Sequence, residues 1–389
     1  MKNNRIWKSD KETIDTFVRK FNQRMPYTYK QTLFNLVLFD SFDVAGDNAE
    51  TFYRVAREKY PWLNMTFLIS RSCSDWERLE KDGFRLYPID GSDVEELMKN
   101  ASYILWSKDT SLFKYMYKNK YKSVFLSHGR TSMIYDCSEY YNKRLAKCTS
   151  YVSCTSQEEA NVVSMYTRNK VQTLVTGFPR HDLILSRSRE RIEHMKSGNR
   201  KQVLISFHYR PYELYKNDQS FLNSNYLHGV NEFLNSIELK KLAKDVDIVF
   251  IPHARYKKYL CWFDAPNYVT VGNTEQFQDV FVQSDVLITD FSSTSFEFAY
   301  MDKPTFVYVP DLDCVKATMP QYHIENIQNY PHLIWCDTIR DVVSGIKEYC
   351  GRRPREFAVS DKMFEYHDTN NTSRMLDWMF EQYGIKTGR

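Results

Sequence analysis

The sequence lacks the features that mark secreted and membrane-spanning proteins. No window of about 18 apolar residues occurs, so no spanning helix is expected. The first residues, MKNNRIWKSDKETIDTF, are charged and contain no apolar core of the kind that a secretory signal requires. The 8 cysteines include no CxxC pair and have no regular spacing, which is typical of reduced thiols rather than a disulfide or zinc framework. We therefore expect a cytoplasmic protein, free or peripheral on the inner face of the cell membrane.

A strong charge of either sign is missing as well. The formal net charge is +4, which is too small to indicate a nucleic-acid partner. Aromatic residues, in contrast, make up 15% of the chain. Residues 1–34 concentrate basic and aromatic side chains, and two interpretations of this segment remain open. It either lies on an anionic membrane surface or forms a solvated helix.

Short apolar runs of the kind found in buried parallel strands alternate with helical patterns through most of the chain. The first set is NLVLF, MTFLI, YILW, SVFLS, YVSC and TLVTG, and the second is VLISF, DIVFI, YVTVG, VLITD, TFVYV and HLIW. The charged segment 186–202 separates the two sets and is the predicted linker. We expect an N-terminal Rossmann-like domain over residues 35–190 and a C-terminal one over 200–358. A helical segment over 359–389 is expected to cross back.

The segment VLITDFSSTSFEFAYMDK, residues 286–303, combines a buried strand with a serine-rich turn and a short helix. Serines at a helix start cap it, and the exposed N–H groups with the helix dipole attract anions. Ser292 and Ser293 are therefore either ordinary capping residues or part of a diphosphate site.

Four other segments place polar residues directly after predicted strands. Because parallel strands end at the same edge of a sheet, these residues are expected to converge on a central cleft between the two domains. They are His128 in SHGR, Arg180 and Asp182 in GFPRHD, His208 and Arg210 in SFHYRP, and His253 and Arg255 in IPHAR.

These motifs resemble the CDP-glycerol glycerophosphotransferase family, which makes teichoic acids and related capsule polymers. The resemblance runs from LFDSF and GDNA through SHG, GFPRHD and IPH to ITDFSSTSFEFAYMDKPTFVY, over about residues 35–310. It implies an α/β protein of GT-B-like type, with two Rossmann-like, doubly wound parallel-sheet domains facing a central cleft. Ser127, Ala254 and the run SFHYRP depart from the family's usual residues, which leaves the donor polyol and the acceptor open.

The resemblance implies transfer of glycerol phosphate or ribitol phosphate from a CDP-polyol to a hydroxyl of a polyprenyl-linked saccharide or polymer, with release of CMP. His128 is the candidate base, and His253 would donate a hydrogen bond to the diphosphate or the departing CMP. The donor phosphates are expected to contact Ser292, Ser293, Arg210 and Arg255. Glu297 would accept from ribose hydroxyls, and Asp290 would orient its loop through backbone N–H groups. Arg180 and Asp182 either pair with each other or contact a ligand directly.

No metal site and no cofactor are predicted, because the carboxylates form neither a D-x-D motif nor a cluster of ligand spacing. A weak requirement for Mg²⁺ stays open. Two further functions also stay open. One is a GT-B nucleotide-sugar glycosyltransferase, and the other is a non-catalytic glycan-binding or scaffold protein of a synthesis complex.

Overall fold

The computed structural model describes residues 34–385, apart from residues 43, 109–111, 131–134, 195–199, 211–216, 274–276, 325–327, 329, 331–332 and 352–362. The proposed membrane contact of the N-terminal segment 1–34 therefore lies outside the described residues, except for Phe34. Across the described ranges, none of the helices has the length and apolar character needed to cross a bilayer.

The chain forms two compact units, and it passes between them more than once. The first unit consists of the residues up to His128, then Ser138–Leu183, and then the residues from Asp368 onward. The second unit consists of Gly129–Cys137 and Ile184–His367.

The first unit contains a parallel sheet in the order β3-β2-β1-β4-β5-β6-β7. Its central strands are apolar runs that are buried on both faces, as expected for a parallel sheet covered by helices. The strands are β1 Asn35–Phe39, β2 Asn64–Ile69, β3 Leu86–Pro88, β4 Tyr103–Trp106, β5 Ser123–Phe125, β6 Tyr151–Cys154 and β7 Gln172–Val175.

Helices follow most of these strands, as in doubly wound folds. Side-chain caps fix several starts; for example, Ser156 Oγ accepts from the Glu159 backbone N–H at 3.2 Å. The helices with residues in this unit are α1 Asn48–Lys59, α2 Asp75–Lys81, α3 Val94–Asn100, α4 Phe113–Lys118, α5 Ser138–Tyr140, α6 Ala146–Cys148, α7 Gln157–Thr167 and α8 Pro179–His194, with a 3-10 turn at Lys120–Lys122 and a π-helical turn at Tyr141–Leu145.

The second unit contains a parallel sheet in the order β10-β9-β8-β11-β12-β13. This strand order reverses beside β8, the position at which doubly wound sheets bind their ligands. The strands are β8 Lys201–Ile205, β9 Val246–Phe250, β10 Val269–Val271, β11 Val286–Thr289, β12 Thr305–Val307 and β13 Leu333–Trp335. Its helices are α9 Asp218–Leu222, α10 Asn225–Leu234, α11 Ile237–Leu242, α12 Phe277–Gln283, α13 Thr294–Tyr300, α14 Leu312–Thr318 and α15 Ile339–Gly351, with a 3-10 helix at Ala254–Trp262.

The last helix, α16 Asn371–Tyr383, belongs to the first unit. Its buried side chains Met375, Leu376, Met379 and Phe380 lie in the same core as the apolar residues of β1 and β2. The core of the first unit is therefore completed by residues from the far end of the chain.

The predicted linker at 186–202 is wrong for most of its length, because residues 186–194 continue helix α8. The charges in this segment do not make it a solvated connector, since several of them pair within the second unit. Arg191 makes a two-point contact with Asp285, with both N–O distances at 3.0 Å, and Arg187 lies 3.3 Å from Asp279. A charged sequence thus forms a helix that is held by ion pairs.

Candidate active site

The carboxyl edge of the first sheet brings together polar side chains from loops far apart in sequence. Asp40 follows β1, Lys108 follows β4 and His128 follows β5, while Arg180 lies in the first turn of α8. Parallel strands end at a common edge, which explains why these residues meet.

Asp47 lies at the centre of this group as the N-cap residue of α1. Its carboxylate accepts hydrogen bonds from the backbone N–H of Asn48 at 2.8 Å, from Arg180 Nη1 at 2.8 Å and from His128 Nδ1. Lys108 Nζ lies 3.5 Å from the same carboxylate. Burial raises the pKa of Asp47, but His128 and Arg180 lower it by more, so the pKa lies well below its usual value. Asp47 is therefore an anion at neutral pH.

The loop that carries His128 is held in an unusual backbone conformation. Ser127 has φ of 66° and Gly129 has φ of 139°, both in the left-handed half of conformational space. Asn48 Nδ2 donates to the Ser127 carbonyl at 3.1 Å, and Arg180 Nη2 donates to the His128 carbonyl at 2.7 Å. These contacts to neighbouring side chains fix the direction in which the imidazole points.

The contact with Asp47 determines the protonation pattern of His128. A carboxylate can only accept, so Nδ1 donates, and in the neutral ring Nε2 carries the lone pair. Desolvation lowers the pKa of His128, and the charge of Asp47 raises it by less. The lowered pKa leaves the ring neutral at pH 7, and because 52% of the side-chain surface is accessible, Nε2 can receive a proton from a bound group.

Asp40 holds the start of helix α1, which carries Asp47. It is not among the predicted site residues. It accepts from the backbone N–H groups of Asp47 at 3.0 Å and Ala49 at 2.9 Å, and from Ser107 Oγ at 2.7 Å. The sequence does contain a signal for both residues. Asp40 directly follows a buried strand in LFDSF, and Asp47 precedes a helix in GDNA.

Of the two alternatives for Arg180 and Asp182, the pair between them is not formed, because the two side chains have different partners. Arg180 pairs with Asp47, whereas Asp182 accepts from the backbone N–H groups of Asn371 at 2.8 Å and Thr372 at 2.9 Å. Asp182 therefore caps helix α16, because a carboxylate at a helix N-terminus satisfies its unpaired donors.

In the second unit, a buried ion-pair cluster ties together the loops after β8, β11 and β12. Arg210 donates to Asp290 at 2.8 Å and to both carboxylate oxygens of Asp311, at 2.9 and 3.1 Å from Nε. Its backbone N–H donates to the hydroxyl of Tyr256, in the 3-10 helix after β9, at 2.7 Å. One side chain thereby sets the geometry of several strand-end loops.

The prediction that Arg210 contacts a donor phosphate does not agree with this geometry. Its side chain is 0% exposed and its guanidinium is occupied by two carboxylates and the His208 carbonyl. Burial lowers its pKa, but Asp290 and Asp311 raise it by more, so the cation is permanent. Asp290 also accepts from the His208 backbone N–H at 2.8 Å, so it contacts the backbone of a neighbouring loop.

His253 and Arg255 lie after β9 at the same edge. The backbone N–H of Arg255 donates to His253 Nδ1 at 3.2 Å, so in the neutral ring Nε2 carries the proton and acts as a donor. Arg255 is exposed, and its guanidinium lies 4.6 Å from the centroid of the Tyr209 ring. Among the described residues it has no carboxylate partner.

The serine loop after β11 is partly exposed, and Ser292 Oγ accepts from the backbone N–H of Thr294, the first residue of α13, at 3.4 Å. Ser293 precedes α13 and makes no side-chain capping bond, while Ser292 Oγ accepts from Thr294 Oγ1 at 2.9 Å. Glu297, one turn into α13, is buried with 8% of its surface exposed. Contacts of Ser292 and Ser293 with phosphate, and of Glu297 with ribose, stay predictions. The described ranges contain no cluster of three potential metal ligands.

Two parallel-sheet α/β units with polar side chains at their carboxyl edges define a GT-B-like protein. Residues 23–381 match the family described as CDP-Glycerol:Poly(glycerophosphate) glycerophosphotransferase. The chain belongs to this family, which confirms the resemblance seen in the sequence motifs.

Curated relatives are proteins of teichoic acid synthesis. The minor teichoic acid biosynthesis protein GgaB of Bacillus subtilis (strain 168) is 26% identical over 384 residues, covering 90% of this chain and 40% of GgaB. The teichoic acid glycerol-phosphate primase of the same organism is 25% identical over 248 residues, covering 61% of this chain and 60% of the primase. The chain thus spans less than two thirds of the length of these relatives.

Solved structures share the fold. The wall teichoic acid polymerase TagF superimposes with a TM-score of 0.65 and 14% identity, covering 99% of both chains. A UDP-N-acetylglucosamine 2-epimerase from Listeria monocytogenes gives a TM-score of 0.57 at 13% identity, covering 91% of this chain and 98% of its own. At these identities the likeness concerns the fold, and it confirms the predicted fold class.

Proposed function

We propose that this protein transfers a polyol phosphate from a CDP-polyol to a hydroxyl of a teichoic-acid-type acceptor and releases CMP. The observation that carries the proposal is the His128–Asp47 pair, which presents an imidazole lone pair at a sheet edge in a chain of the glycerophosphotransferase family. A polymer hydroxyl is a weak nucleophile, and a positioned base is what such a reaction requires.

The acceptor hydroxyl attacks the distal phosphorus in line with the CMP oxygen. A new oxygen–phosphorus bond forms, the bond from phosphorus to the CMP oxygen breaks, and the bonding electrons leave with CMP. The hydroxyl proton moves to His128 Nε2. Asp47 stabilises the resulting imidazolium, and Arg180 holds the carboxylate and the His128 loop in place.

The donor is held by the second unit in this proposal. Arg255 and the Nε2–H of His253 bind oxygen atoms of the diphosphate, because both are hydrogen-bond donors after the same strand. Ser292 and Ser293 contribute hydroxyl groups beside them. Cationic and N–H donors stabilise negative charge on the phosphoryl oxygens during transfer.

Glycerol phosphate is the preferred group among the two polyol phosphates. The family description names glycerophosphate, three curated relatives are named as glycerol-phosphate enzymes, and one structure of a TagF variant comes from a soak with CDPG. We propose CDP-glycerol as the first donor to test and CDP-ribitol as the second. A membrane-linked saccharide or polymer is the proposed acceptor, reached from the inner membrane face.

The test measures CMP release by the purified protein from CDP-glycerol, CDP-ribitol and a panel of UDP-sugars, with a teichoic-acid primer present. Replacing His128 by Gln is expected to lower turnover by about 10² to 10⁴, the usual contribution of a general base. Donor binding, measured by calorimetry, is expected to stay within about twofold, since the base does not hold the nucleotide. The matched control is His228→Gln, at an exposed position of α10.

Consumption of a UDP-sugar in place of both CDP-polyols would contradict the proposed donor class. Turnover of the His128→Gln variant at the rate of the unsubstituted protein would remove His128 as the base. Donor binding without turnover by the unsubstituted protein would favour a non-catalytic binding role.

A further inference from the structure

His208 lies in the loop after β8, in the run SFHYRP where this chain departs from the usual residues of its family. Its half-buried ring lies among the aromatic groups at the carboxyl edge of the second sheet. The ring centroids are 5.8 Å from His253, 5.6 Å from Phe291 and 5.8 Å from Tyr322. Phe291 immediately precedes Ser292, so His208 lies beside the proposed diphosphate loop.

The backbone of His208 is fixed by the buried ion-pair cluster. Its N–H donates to Asp290 at 2.8 Å, and its carbonyl accepts from Arg210 Nη1 at 2.8 Å. Both partners are almost completely buried, and Arg210 is fixed in turn by Asp311. The position of the His208 backbone is therefore determined by the core of the unit rather than by a flexible loop.

A third contact fixes the proton on the imidazole. His208 Nδ1 lies 2.7 Å from the carbonyl oxygen of Tyr209, and a carbonyl can only accept, so Nδ1 carries the hydrogen. In the neutral ring, Nε2 then has a lone pair and no hydrogen. Within the described ranges, Nε2 has no hydrogen-bond partner.

Burial, together with the neighbouring basic groups, keeps the ring of His208 neutral. Burial, followed by repulsion of a second positive charge by His253 and Arg210, lowers the pKa of His208 to about 3. The ring is therefore a hydrogen-bond acceptor throughout the physiological pH range. An acceptor lone pair repels phosphate oxygens and attracts O–H donors, which distinguishes His208 from His253 and Arg255 at the same edge.

We infer that His208 Nε2 accepts a hydrogen bond from a hydroxyl group of the nucleotide-linked donor and thereby contributes to donor recognition. This inference rests on the proposed function. The hydroxyl belongs either to the polyol or to the ribose, and the two sources share the same chemistry. His208 is a substrate-contacting residue in this inference, not the base of the reaction.

The first experiment compares His208→Phe with His208→Gln in steady-state CMP release. Phe keeps an aromatic ring and removes the acceptor, so KM for CDP-glycerol is expected to rise about tenfold, the loss of one neutral hydrogen bond, with kcat within about twofold. Gln carries an amide oxygen near the position of Nε2 and is expected to restore most of the affinity. The matched control His228→Phe, on the exposed side of α10, is expected to leave KM unchanged.

Donor analogues identify the source of the hydroxyl. Calorimetry with CDP alone isolates the ribose, and analogues that lack one ribose or one polyol hydroxyl isolate single groups. If His208→Phe binds CDP as tightly as the unsubstituted protein does, the hydroxyl belongs to the polyol. If His208→Phe weakens binding of CDP but not binding of a deoxyribose analogue, the hydroxyl belongs to the ribose. A penalty that no deoxy analogue removes would overturn the inference.

A second measurement does not depend on turnover. Nitrogen NMR of histidine-labelled protein, with the His208 signal assigned by its loss in His208→Phe, is expected to show hydrogen on Nδ1 and a bare Nε2 across neutral pH. Hydrogen on Nε2, or a KM unchanged by His208→Phe in a protein with unaltered melting temperature, would contradict the inference. If the unsubstituted protein releases no CMP from either CDP-polyol, the proposed function fails, while CDP binding and this spectrum still decide the role of His208.

Discussion

At the scale of single residues, His128 and His253 lie at strand ends and have opposite proton patterns. Asp47 accepts from Nδ1 of His128, which leaves Nε2 as an acceptor, whereas the Arg255 N–H donates to Nδ1 of His253, which makes Nε2 a donor. The first pattern suits a group that removes a proton, and the second suits one that binds an anion. The neighbouring hydrogen bond, rather than the residue type, therefore assigns each role.

Replacing Asp47 by Asn is expected to lower CMP release by about 10² or more, because the amide no longer stabilises the imidazolium and can reverse the proton pattern of His128. Activity requires the neutral ring and so rises with pH through the pKa of His128. Asp47 raises that pKa, so the rise is expected to move to lower pH in the variant. The pH profile of kcat/KM measures both effects.

Asp93→Asn is the control for this substitution, since Asp93 precedes helix α3 and makes no capping bond with its side chain. It is expected to leave the profile unchanged. If kcat/KM of Asp47→Asn rises at the same pH as kcat/KM of the unsubstituted protein, the role given to Asp47 is contradicted.

Residue roles are only partly accessible from the sequence. The pattern of polar residues after strands identifies His128, His253 and Arg180, because strand ends share an edge whatever the details of packing. The pattern does not show that Arg210 is buried and paired while Arg255 is exposed, since both residues follow a histidine after a strand. The difference comes from Asp311, which lies 101 positions away from Arg210 and neutralises it in the core.

At the scale of elements, the turn after β7 packs against the side chain of Asn371, the first residue of helix α16. Gly177 has φ of 77°, and a Cβ atom there would lie 1.9 Å from Asn371 Oδ1. The neighbouring Asp182 caps the same helix start, so the β7–α8 connection and α16 are joined at one point. This close approach fixes where the last helix begins.

Gly177→Ala is expected to destabilise the protein by about 3 kcal/mol, the sum of a left-handed alanine and a forced shift of the buried Asn371 side chain. Gly46→Ala is the control, because Gly46 has φ of 90° and no atom outside residues 45–47 lies within 4 Å of the place that an alanine methyl group would take. It measures the backbone cost alone, at about 1 to 2 kcal/mol. Chemical denaturation gives both values, and equal losses would contradict the steric contact.

Strands are easier to predict than the segments between them. Every apolar run that is predicted to be a strand forms one, because buried parallel strands require such runs. The edge strand β3 is not predicted, since Leu86–Pro88 has only three residues and ends in proline. The second half of helix α8 resembles a linker in composition, because its pairing with Asp279 and Asp285 is a tertiary contact that local composition does not reveal.

At the scale of the whole molecule, the two units do not correspond to two continuous halves of the chain. Gly129–Cys137 belongs to the second unit, and residues from Asp368 onward belong to the first. A domain boundary predicted from a charged segment does not reveal these two exchanges, since they depend on the tertiary contacts of Gly129–Cys137 and of the residues after Asp368. The stability of the first unit should therefore depend on residues near the end of the sequence.

Phe380→Ala tests this dependence. Phe380 is 1% exposed and its ring centroid lies 5.4 Å from that of Phe34 and 5.2 Å from that of Tyr60. The cavity is expected to cost about 3 to 5 kcal/mol. Hydrogen exchange should show faster opening of β1, β2 and β4 than of β8, β9 and β11. Glu381→Ala, at an exposed neighbouring position, is the control, and equal loss of protection in both sheets would contradict the expectation.

The place of α16 in the first unit also bears on how the chain folds as it is made. A ribosome delivers β1 and β2 early, but the side chains that close their core arrive only when Met375 to Phe380 leave the exit tunnel. Until then the nascent chain carries an open apolar surface beside β1. The second unit, whose residues are all synthesised before α16, can be finished first, so the first unit is completed after the second although β1 precedes every strand of the second.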